Sequence, residues 1–296
     1  MKNPITSVLC VLLLPLFLSA QSLVQTGSTV KKVAGDLEFL EGPVWKEGRG
    51  LLFSDMPANT VYQWTPDSGV RVFLNPSSNS NGLTYDLRGR LILTQTGARQ
   101  IARLEQNGTL TPLVSTFNGR KFNSPNDIVV KSDGAIFFTD PPFNIPKGES
   151  KELSFSGIYR ISPSGTLNVL DSTLAWPNGI CFSPDESKLY VNESPECLIF
   201  VWDVVNDSIL TNKQLFARID AKGYADGMKV DREGNLFCAA PGGVWVFSRT
   251  GKQYDMIPVP GQPTNCNWGD SDRKTLYVTT SKAVYRVRVT TGGIIK

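Results

Sequence analysis

Six polar side chains stand at the same place in a repeated sequence pattern, and their oxygen atoms are the groups best suited to chemistry. Each precedes a short apolar run, an acidic or glycine-containing turn and a second apolar run. The six residues are Glu41, Asn81, Asn126, Asn178, Asp226 and Asn265. Carboxylate and amide oxygens are hard donors, which suit Ca²⁺, Mg²⁺ or Mn²⁺ better than Zn²⁺ or copper. A single Asn, Asp or Glu at such a position more often caps a turn. The prediction of a functional site therefore depends on the recurrence of these residues at six equivalent positions.

The rest of the composition narrows the chemistry. The chain of 296 residues contains no histidine. This excludes Ser-His-Asp and Cys-His nucleophile systems, a histidine general base and the usual histidine-bearing zinc sites. Catalysis would have to use carboxylates, amides, hydroxyls, Lys or Arg, with or without a metal. The net charge is +3, from 30 basic and 27 acidic residues without a basic stripe, so no nucleic-acid partner is expected.

The repeats also predict the fold that positions these residues. They follow one another about every 40 to 50 residues, close to the length of a propeller blade. We predict an all-β, six-bladed β-propeller with four antiparallel strands per blade. Each repeat needs its neighbours to cover its faces, so residues 21–296 should form a single domain. We expect residues 29–33 to pair with residues 283–289, so that an N-terminal strand completes the last blade and removes exposed sheet edges.

Three segments lie outside the repeated units. Residues 37–40 are predicted as a short strand before the first repeat. Residues 141–156 and 203–224 are the longest apparent inserts. The first contains Phe143 and is either a lid over the mouth of the channel or a surface loop without a role.

The N-terminus has the features of a secretory signal peptide. Lys2 precedes an apolar run over residues 8–18 and the small pair Ser19-Ala20. The run is about half the length of a membrane-spanning helix, so residues 1–20 are predicted to be a cleaved signal rather than an anchor. The mature chain would be secreted or periplasmic and have no membrane span. We expect a monomer or a weak dimer.

The mature chain would keep four cysteines, which are Cys181, Cys197, Cys238 and Cys266. An exported protein can form disulfides, but four cysteines allow three pairings and the sequence does not choose among them. Cys181 and Cys238 stand within apolar strands. They are therefore interpreted as small buried thiols.

An ordered set of short motifs resembles one known family. The chain is similar to the gluconolactonase and senescence-marker-protein (regucalcin) family from about residue 30 to 290, and diisopropyl fluorophosphatase is a more distant relative. Each motif alone is weak, whereas the ordered set is specific. The motifs are LEGPVW at 40–45, NSPND at 123–127, TDPP at 139–142, WPNGI at 176–180, ADG at 225–227 and PTNC at 263–266.

The resemblance implies an enzyme that opens a small sugar lactone on a divalent cation, most often Ca²⁺, with Mg²⁺, Mn²⁺ or Zn²⁺ as alternatives. Glu41, Asn178 and Asp226 would be ligands of this cation. Asn126 would be a fourth ligand or a substrate contact, and Asp226 would also serve as general base or nucleophile. A Lewis-acidic cation would polarise the lactone carbonyl and stabilise the oxyanion. The candidate substrate contacts are Asn126, Lys121, Asn81, Phe143, Trp176 and Asn265.

Two departures from the family pattern bear on the substrate. Vertebrate members have an arginine two residues before the substrate-contacting asparagine, and Ser124 stands at that position here. Lys121 is the candidate replacement. Bacterial gluconolactonases often continue Pro-Pro-Tyr-Gly, whereas this chain has Phe143-Asn144 after its two prolines. This departure leaves a lactone other than gluconolactone open as the substrate.

Two other functions are compatible with the same residues. One is a non-catalytic propeller that binds a glycan or a protein partner and uses the metal only as a structural plug. The other is hydrolysis of phosphotriesters or phosphofluoridates as a side activity, because the same cation can polarise a P=O bond.

Overall fold

The computed structural model describes residues 22–294, and it confirms the predicted all-β architecture. Within that range the chain forms 26 strands and no helix. Six four-stranded antiparallel sheets follow one another as the blades of a propeller, and a two-stranded hairpin lies between the second and third blades. No helix in these residues is long and apolar enough to cross a membrane. The predicted signal peptide, residues 1–20, lies outside the described range.

Within a blade the strands run outward from the axis in chain order, except in the last blade. Blade 1 consists of β2 (Leu40–Lys46), β3 (Gly50–Asp55), β4 (Thr60–Thr65) and β5 (Gly69–Leu74). Blade 2 consists of β6 (Ser80–Tyr85), β7 (Leu91–Gln95), β8 (Gln100–Leu104) and β9 (Leu110–Val114), and the hairpin of β10 (Thr116–Phe117) and β11 (Arg120–Lys121) follows. Blade 3 consists of β12 (Ile128–Val130), β13 (Ile136–Asp140), β14 (Gly157–Ile161) and β15 (Leu167–Asp171).

The second half repeats this arrangement. Blade 4 consists of β16 (Pro177–Phe182), β17 (Lys188–Glu193), β18 (Leu198–Val205) and β19 (Ile209–Arg218). Blade 5 consists of β20 (Met228–Val230), β21 (Leu236–Ala240), β22 (Gly243–Phe247) and β23 (Gln253–Pro258). Blade 6 consists of β24 (Pro263–Gly269), β25 (Thr275–Thr280), β26 (Val284–Arg288) and β1 (Lys31–Ala34).

Blade 6 is closed by the N-terminal strand, as the sequence predicted. β1 pairs antiparallel with β26, with Lys31 opposite Arg286, and an isolated bridge joins Val24 to Val289. The outer edge of β26 is thereby covered by β1, the first strand of the described residues. This pairing ties both ends of the described chain into one blade.

The core lies between neighbouring blades, where apolar faces of adjacent sheets meet. Phe137 of blade 3 packs edge-on against Phe182 of blade 4 with ring centroids 4.9 Å apart. Trp45 of blade 1 stacks on Tyr277 of blade 6 at 5.4 Å. Since every blade contributes to two such interfaces, no blade has an independent core.

Two strand predictions were wrong in detail. Much of the apparent insert 203–224 is the outermost strand β19, a sequence of mostly exposed residues that lacks the apolar alternation of an inner strand. Of the strand predicted over residues 37–40, only Leu40 belongs to a strand, β2. The backbone N–H groups of Glu38 and Phe39 bond instead to the carboxylate of Asp55, at 3.0 and 3.1 Å. The predicted insert 141–156 does lie between β13 and β14 without a strand of its own.

Candidate active site

The propeller brings five of the six repeated polar residues to one cavity. This cavity, at the axial end where the innermost strands begin, has a volume of about 760 Å³. The five residues are Glu41, Asn81, Asn126, Asn178 and Asp226. All are buried with only a small exposed fraction. The sixth, Asn265, is buried behind them and donates a hydrogen bond from Nδ2 to Oε2 of Glu41 at 3.4 Å.

Close packing of the innermost strands depends on glycines that follow these residues. A Cβ atom at Gly179 would lie 2.4 Å from the carbonyl oxygen of Asp226, and one at Gly227 would lie 1.9 Å from Cγ of Asn265. Any larger residue would therefore push two strands apart at the axis. The Asn-Gly and Asp-Gly pairs are thus a local requirement of the site's geometry.

The backbone of the site is held by polar residues on the second strand of the preceding blade. Thr94 Oγ1 donates to the carbonyl of Asn126 at 2.6 Å, and Thr139 Oγ1 donates to the carbonyl of Asn178 at 2.8 Å. Asn192 Nδ2 donates to the carbonyl of Asp226 at 2.6 Å. The sequence analysis did not single out Thr94 or Asn192, and it named Thr139 only as part of the motif TDPP at 139–142. A signal was available, because each occupies the same position in the second apolar run of its repeat.

Two amide oxygen atoms at the cavity floor have no hydrogen-bond partner among the described residues. They are the buried Oδ1 atoms of Asn81 and Asn178. Leaving such an atom unpaired in the interior costs about 1–3 kcal/mol. Oxygens aimed at a shared space without donors are the arrangement expected around a cation.

The two carboxylates at the floor are poorly suited to being charged together without a cation. Burial, and then the negative charge of Asp127, raises the pKa of Glu41 to about 7. Burial, and then the charges of Glu41 and Asp127, raises the pKa of Asp226 well above its usual value. A hydrogen bond from Asn178 opposes this shift. Desolvation and like-charge repulsion thus leave the site deficient in positive charge.

The donor set fits a divalent cation that prefers oxygen. Among residues 22–294 no group of three histidine, cysteine or acidic side chains gathers at one point, so a cation would have to draw on amide oxygens as well as on the two carboxylates. Glu41, Asn126, Asn178 and Asp226 offer this mixture on one cavity floor. Such a set matches Ca²⁺, Mg²⁺ or Mn²⁺.

An ion pair between the half-buried Lys229 and the buried Asp127 lies below the floor and was missed by the sequence analysis. Lys229 Nζ stands 3.6 Å from Oδ2 of Asp127. The same ammonium donates to the carbonyl of Met228 at 3.0 Å and to Oδ1 of Asn265 at 3.4 Å. Since Asn265 in turn bonds Glu41, the ammonium fixes which face of the Asn265 amide meets that carboxylate.

The walls above the floor are largely apolar. Phe143 and Trp176, both predicted substrate contacts, lie in the lining with ring centroids 4.9 Å apart and planes inclined by 43°. The remaining apolar wall residues are Phe39, Met56, Pro57, Pro142, Pro195 and Tyr224. Phe143 belongs to the segment 141–156, so this segment forms part of the cavity wall.

The structure does not bring Lys121 to this cavity. Its ammonium lies 2.9 Å from Oε2 of Glu149, which also accepts a bond from the buried Arg99 at 2.9 Å. The position of the vertebrate arginine is filled by a buried Ser124, whose Oγ donates to the carbonyl of Pro141 and accepts from the N–H of Asn144. Both positions anchor the segment 141–156 to the propeller instead of facing the cavity.

The four described cysteines are all buried and none is paired in a disulfide. Burial raises the pKa of the Cys266 thiol to about 12 and that of Cys238 in the same direction. These thiols are protonated at neutral pH and pack as small apolar groups.

Comparison with known proteins agrees with this architecture. The family model for the SMP-30/Gluconolactonase/LRE-like region matches residues 39–282. A gluconolactonase from Zymomonas mobilis is 36% identical, over 92% of this chain and 84% of that protein. The structure of a gluconolactonase from Xanthomonas campestris superposes with a TM-score of 0.85 and 33% identity, covering 90% of this chain and 91% of the other. Regucalcin from Agrobacterium tumefaciens, a calcium-binding protein, shares the fold with a TM-score of 0.75 and 19% identity, covering 88% of this chain and 93% of its own. The chain therefore belongs to the SMP-30/gluconolactonase/LRE-like family.

Proposed function

We propose that the protein is an exported, metal-dependent lactonase that hydrolyses an uncharged sugar lactone. The side chains of Glu41, Asn126, Asn178 and Asp226 would hold a divalent cation, and we expect this cation to be Ca²⁺. The observation that carries this proposal is the cavity floor itself, where two buried carboxylates face amide oxygens that lack donors. Mg²⁺, Mn²⁺ and Zn²⁺ are the alternative ions.

Family membership makes the chain a lactone-hydrolysing enzyme, a hydrolase of carboxylic esters. Two similar proteins are named gluconolactonases, which supports a sugar lactone as substrate. When bound, the cation would polarise the lactone carbonyl and stabilise the oxyanion that forms during attack.

The residues of the chain would supply the proton transfers and the positioning. Asp226 accepts a proton from water as the water oxygen adds to the carbonyl carbon. The ring C–O bond then breaks, and the leaving alkoxide takes the proton back, which yields a hydroxy acid. A carboxylate near a cation is a weak base, so Asp226 must act mainly by holding the water in line. The amides of Asn81 and Asn126 would contact the lactone. The side chains of Phe143 and Trp176 would form the wall beside it.

Purified protein tests the proposal directly. It should open gluconolactone and related lactones, lose activity after chelation and regain it when Ca²⁺ or another divalent ion is added back. The variant Asp67→Asn, an acid-to-amide change at an exposed position away from the cavity, serves as a control and should leave these rates unchanged. Background rates with every lactone, together with metal-dependent stability, would favour a non-catalytic binding propeller. Phosphotriesters belong in the same panel, to detect hydrolysis at a P=O group.

The predicted location has a separate test. Residues 1–20 would be absent from protein recovered outside the cytoplasm, so intact mass and N-terminal sequencing should place the first residue at Gln21. A first residue at Met1 in such material would contradict the signal peptide.

A further inference from the structure

The cavity above the proposed cation site is larger and less polar than a single sugar lactone requires. Its volume of about 760 Å³ is in the range that holds a ligand of several rings. A one-ring aldonolactone bound at the carboxylate floor would leave the outer part of this volume to water. The outer part therefore offers room for a substituent on the lactone.

The charges around the cavity exclude an anionic substituent. Among the described residues that line it, only Glu41 and Asp226 are charged, and both lie at the floor. Lys121 is paired with Glu149 away from the cavity, and Lys229 lies below the floor, beside Asp127. A phosphate or carboxylate on the substrate would be desolvated here without a cationic partner, which is costly.

The shape and chemistry of the walls favour a second ring. The aromatic residues Phe143 and Trp176 are half-buried, pack against each other and both line the cavity. Sugar rings have apolar C–H faces that pack on such surfaces, and aromatic side chains contribute large buried areas there. Fixed aromatic walls also lower the entropic cost of binding.

Two amides that line the same cavity are free to bind hydroxyl groups. Asn144 and Gln262 line the cavity with exposed side chains, and neither side-chain amide is hydrogen-bonded to another described residue. The backbone N–H of Asn144 donates to Oγ of Ser124 at 3.1 Å, which fixes where this amide stands. A sugar ring carries hydroxyls that these amides can bind, whereas a bare alkyl chain offers them no hydrogen bond.

We propose that the preferred substrate is an uncharged lactone carrying a glycosyl substituent, with the lactone on the carboxylate floor and the second sugar ring against Phe143 and Trp176. This inference rests on the lactonase function proposed above. It goes further by assigning the outer cavity to a second sugar.

The test compares kcat/KM for gluconolactone with that for its glucosyl derivative, cellobionolactone. We expect the disaccharide lactone to be preferred by about tenfold, mainly through a lower KM, since packing on an aromatic surface contributes on the order of one tenfold step. Trp176→Ala and Phe143→Ala should each reduce this ratio towards one. Tyr254→Ala, on the outermost strand of blade 5, serves as the aromatic control and should leave the ratio unchanged.

Each alternative outcome is distinct. Equal or better kcat/KM for gluconolactone, or a ratio insensitive to Trp176→Ala in a variant of unchanged melting temperature, would overturn the second-sugar assignment while the lactonase function stands. Faster opening of a δ-lactone with an alkyl chain, or of 6-phosphogluconolactone, would overturn it too. Failure to open any lactone would instead reject the proposed function.

Discussion

Lowering the pH should weaken cation binding, because protons and the cation compete for the same buried oxygens. In the metal-free protein the pKa of Glu41 is about 7, and burial with repulsion raises that of Asp226 as well. Well above pH 7 the Glu41 carboxyl is already ionised, so the cation displaces almost no proton from it. Below pH 7 each binding event must expel the proton from Glu41.

The magnitude follows from the position of this pKa. Each pH unit below 7 costs about tenfold in affinity for every proton displaced. Between pH 7 and pH 5 the dissociation constant for Ca²⁺ should therefore rise roughly 50-fold through Glu41 alone, because this carboxyl is already half protonated at pH 7. A proton retained on Asp226 would make the dependence steeper still.

Isothermal titration calorimetry of the chelated protein with Ca²⁺ at several pH values measures this dependence. Repeating it in buffers of different ionisation enthalpy counts the protons released. The variant Glu41→Gln should bind more weakly at pH 8 and lose about one proton from the count at pH 5 to 6. Wild-type affinity that is constant from pH 5 to 8, with no proton release, would refute the reasoning.

Three further predictions concern residues in or near the site. Asp226→Asn should lower kcat by about 10² to 10⁴-fold. It should also raise the melting temperature of the metal-free protein, because it removes a carboxylate that repels Glu41. A fully active variant would contradict the role of Asp226. Lys229→Met should lower the free energy of unfolding in urea by roughly 3–5 kcal/mol, because it leaves the Asp127 carboxylate without its cationic partner. The double variant with Asp127→Asn should regain most of this stability. Equal stability of the single and double variants would count against the ion pair. Burial raises the pKa of Asp140 to about 7, so the folded state holds its proton more tightly than the unfolded chain. The contribution of the protonated Asp140 carboxyl to the free energy of unfolding should therefore fall as the pH rises from about 4 to 7. The variant Asp140→Asn should flatten this part of the plot of stability against pH.

Much of the architecture was predictable because it repeats. The recurring unit beginning at residues such as Asn178 and Asp226 fixed the number of blades, their inner strands and the closure by β1. Side chains at equivalent positions of equivalent blades must converge on the axis. The cavity floor therefore followed from the repeat alone.

The features that the sequence did not reveal depend on contacts between different blades or on irregular segments. The pairing of Lys229 with Asp127 joins blades 5 and 3 through the channel, and neither residue stands at the repeated polar position. Lys121 is close to Asn126 in sequence but faces Glu149 in space, because the hairpin of β10 and β11 turns it outward. The strand β19 has an exposed edge and so lacks an apolar signature.

The central claim is that Glu41, Asn178 and Asp226 share one divalent cation. A crystal structure determined with excess Ca²⁺ tests it most directly. The account predicts one ion at about 2.3–2.6 Å from a side-chain oxygen of each of these three residues. Crystals of the same protein in which these oxygens surround only water, or in which Ca²⁺ binds elsewhere, would contradict it.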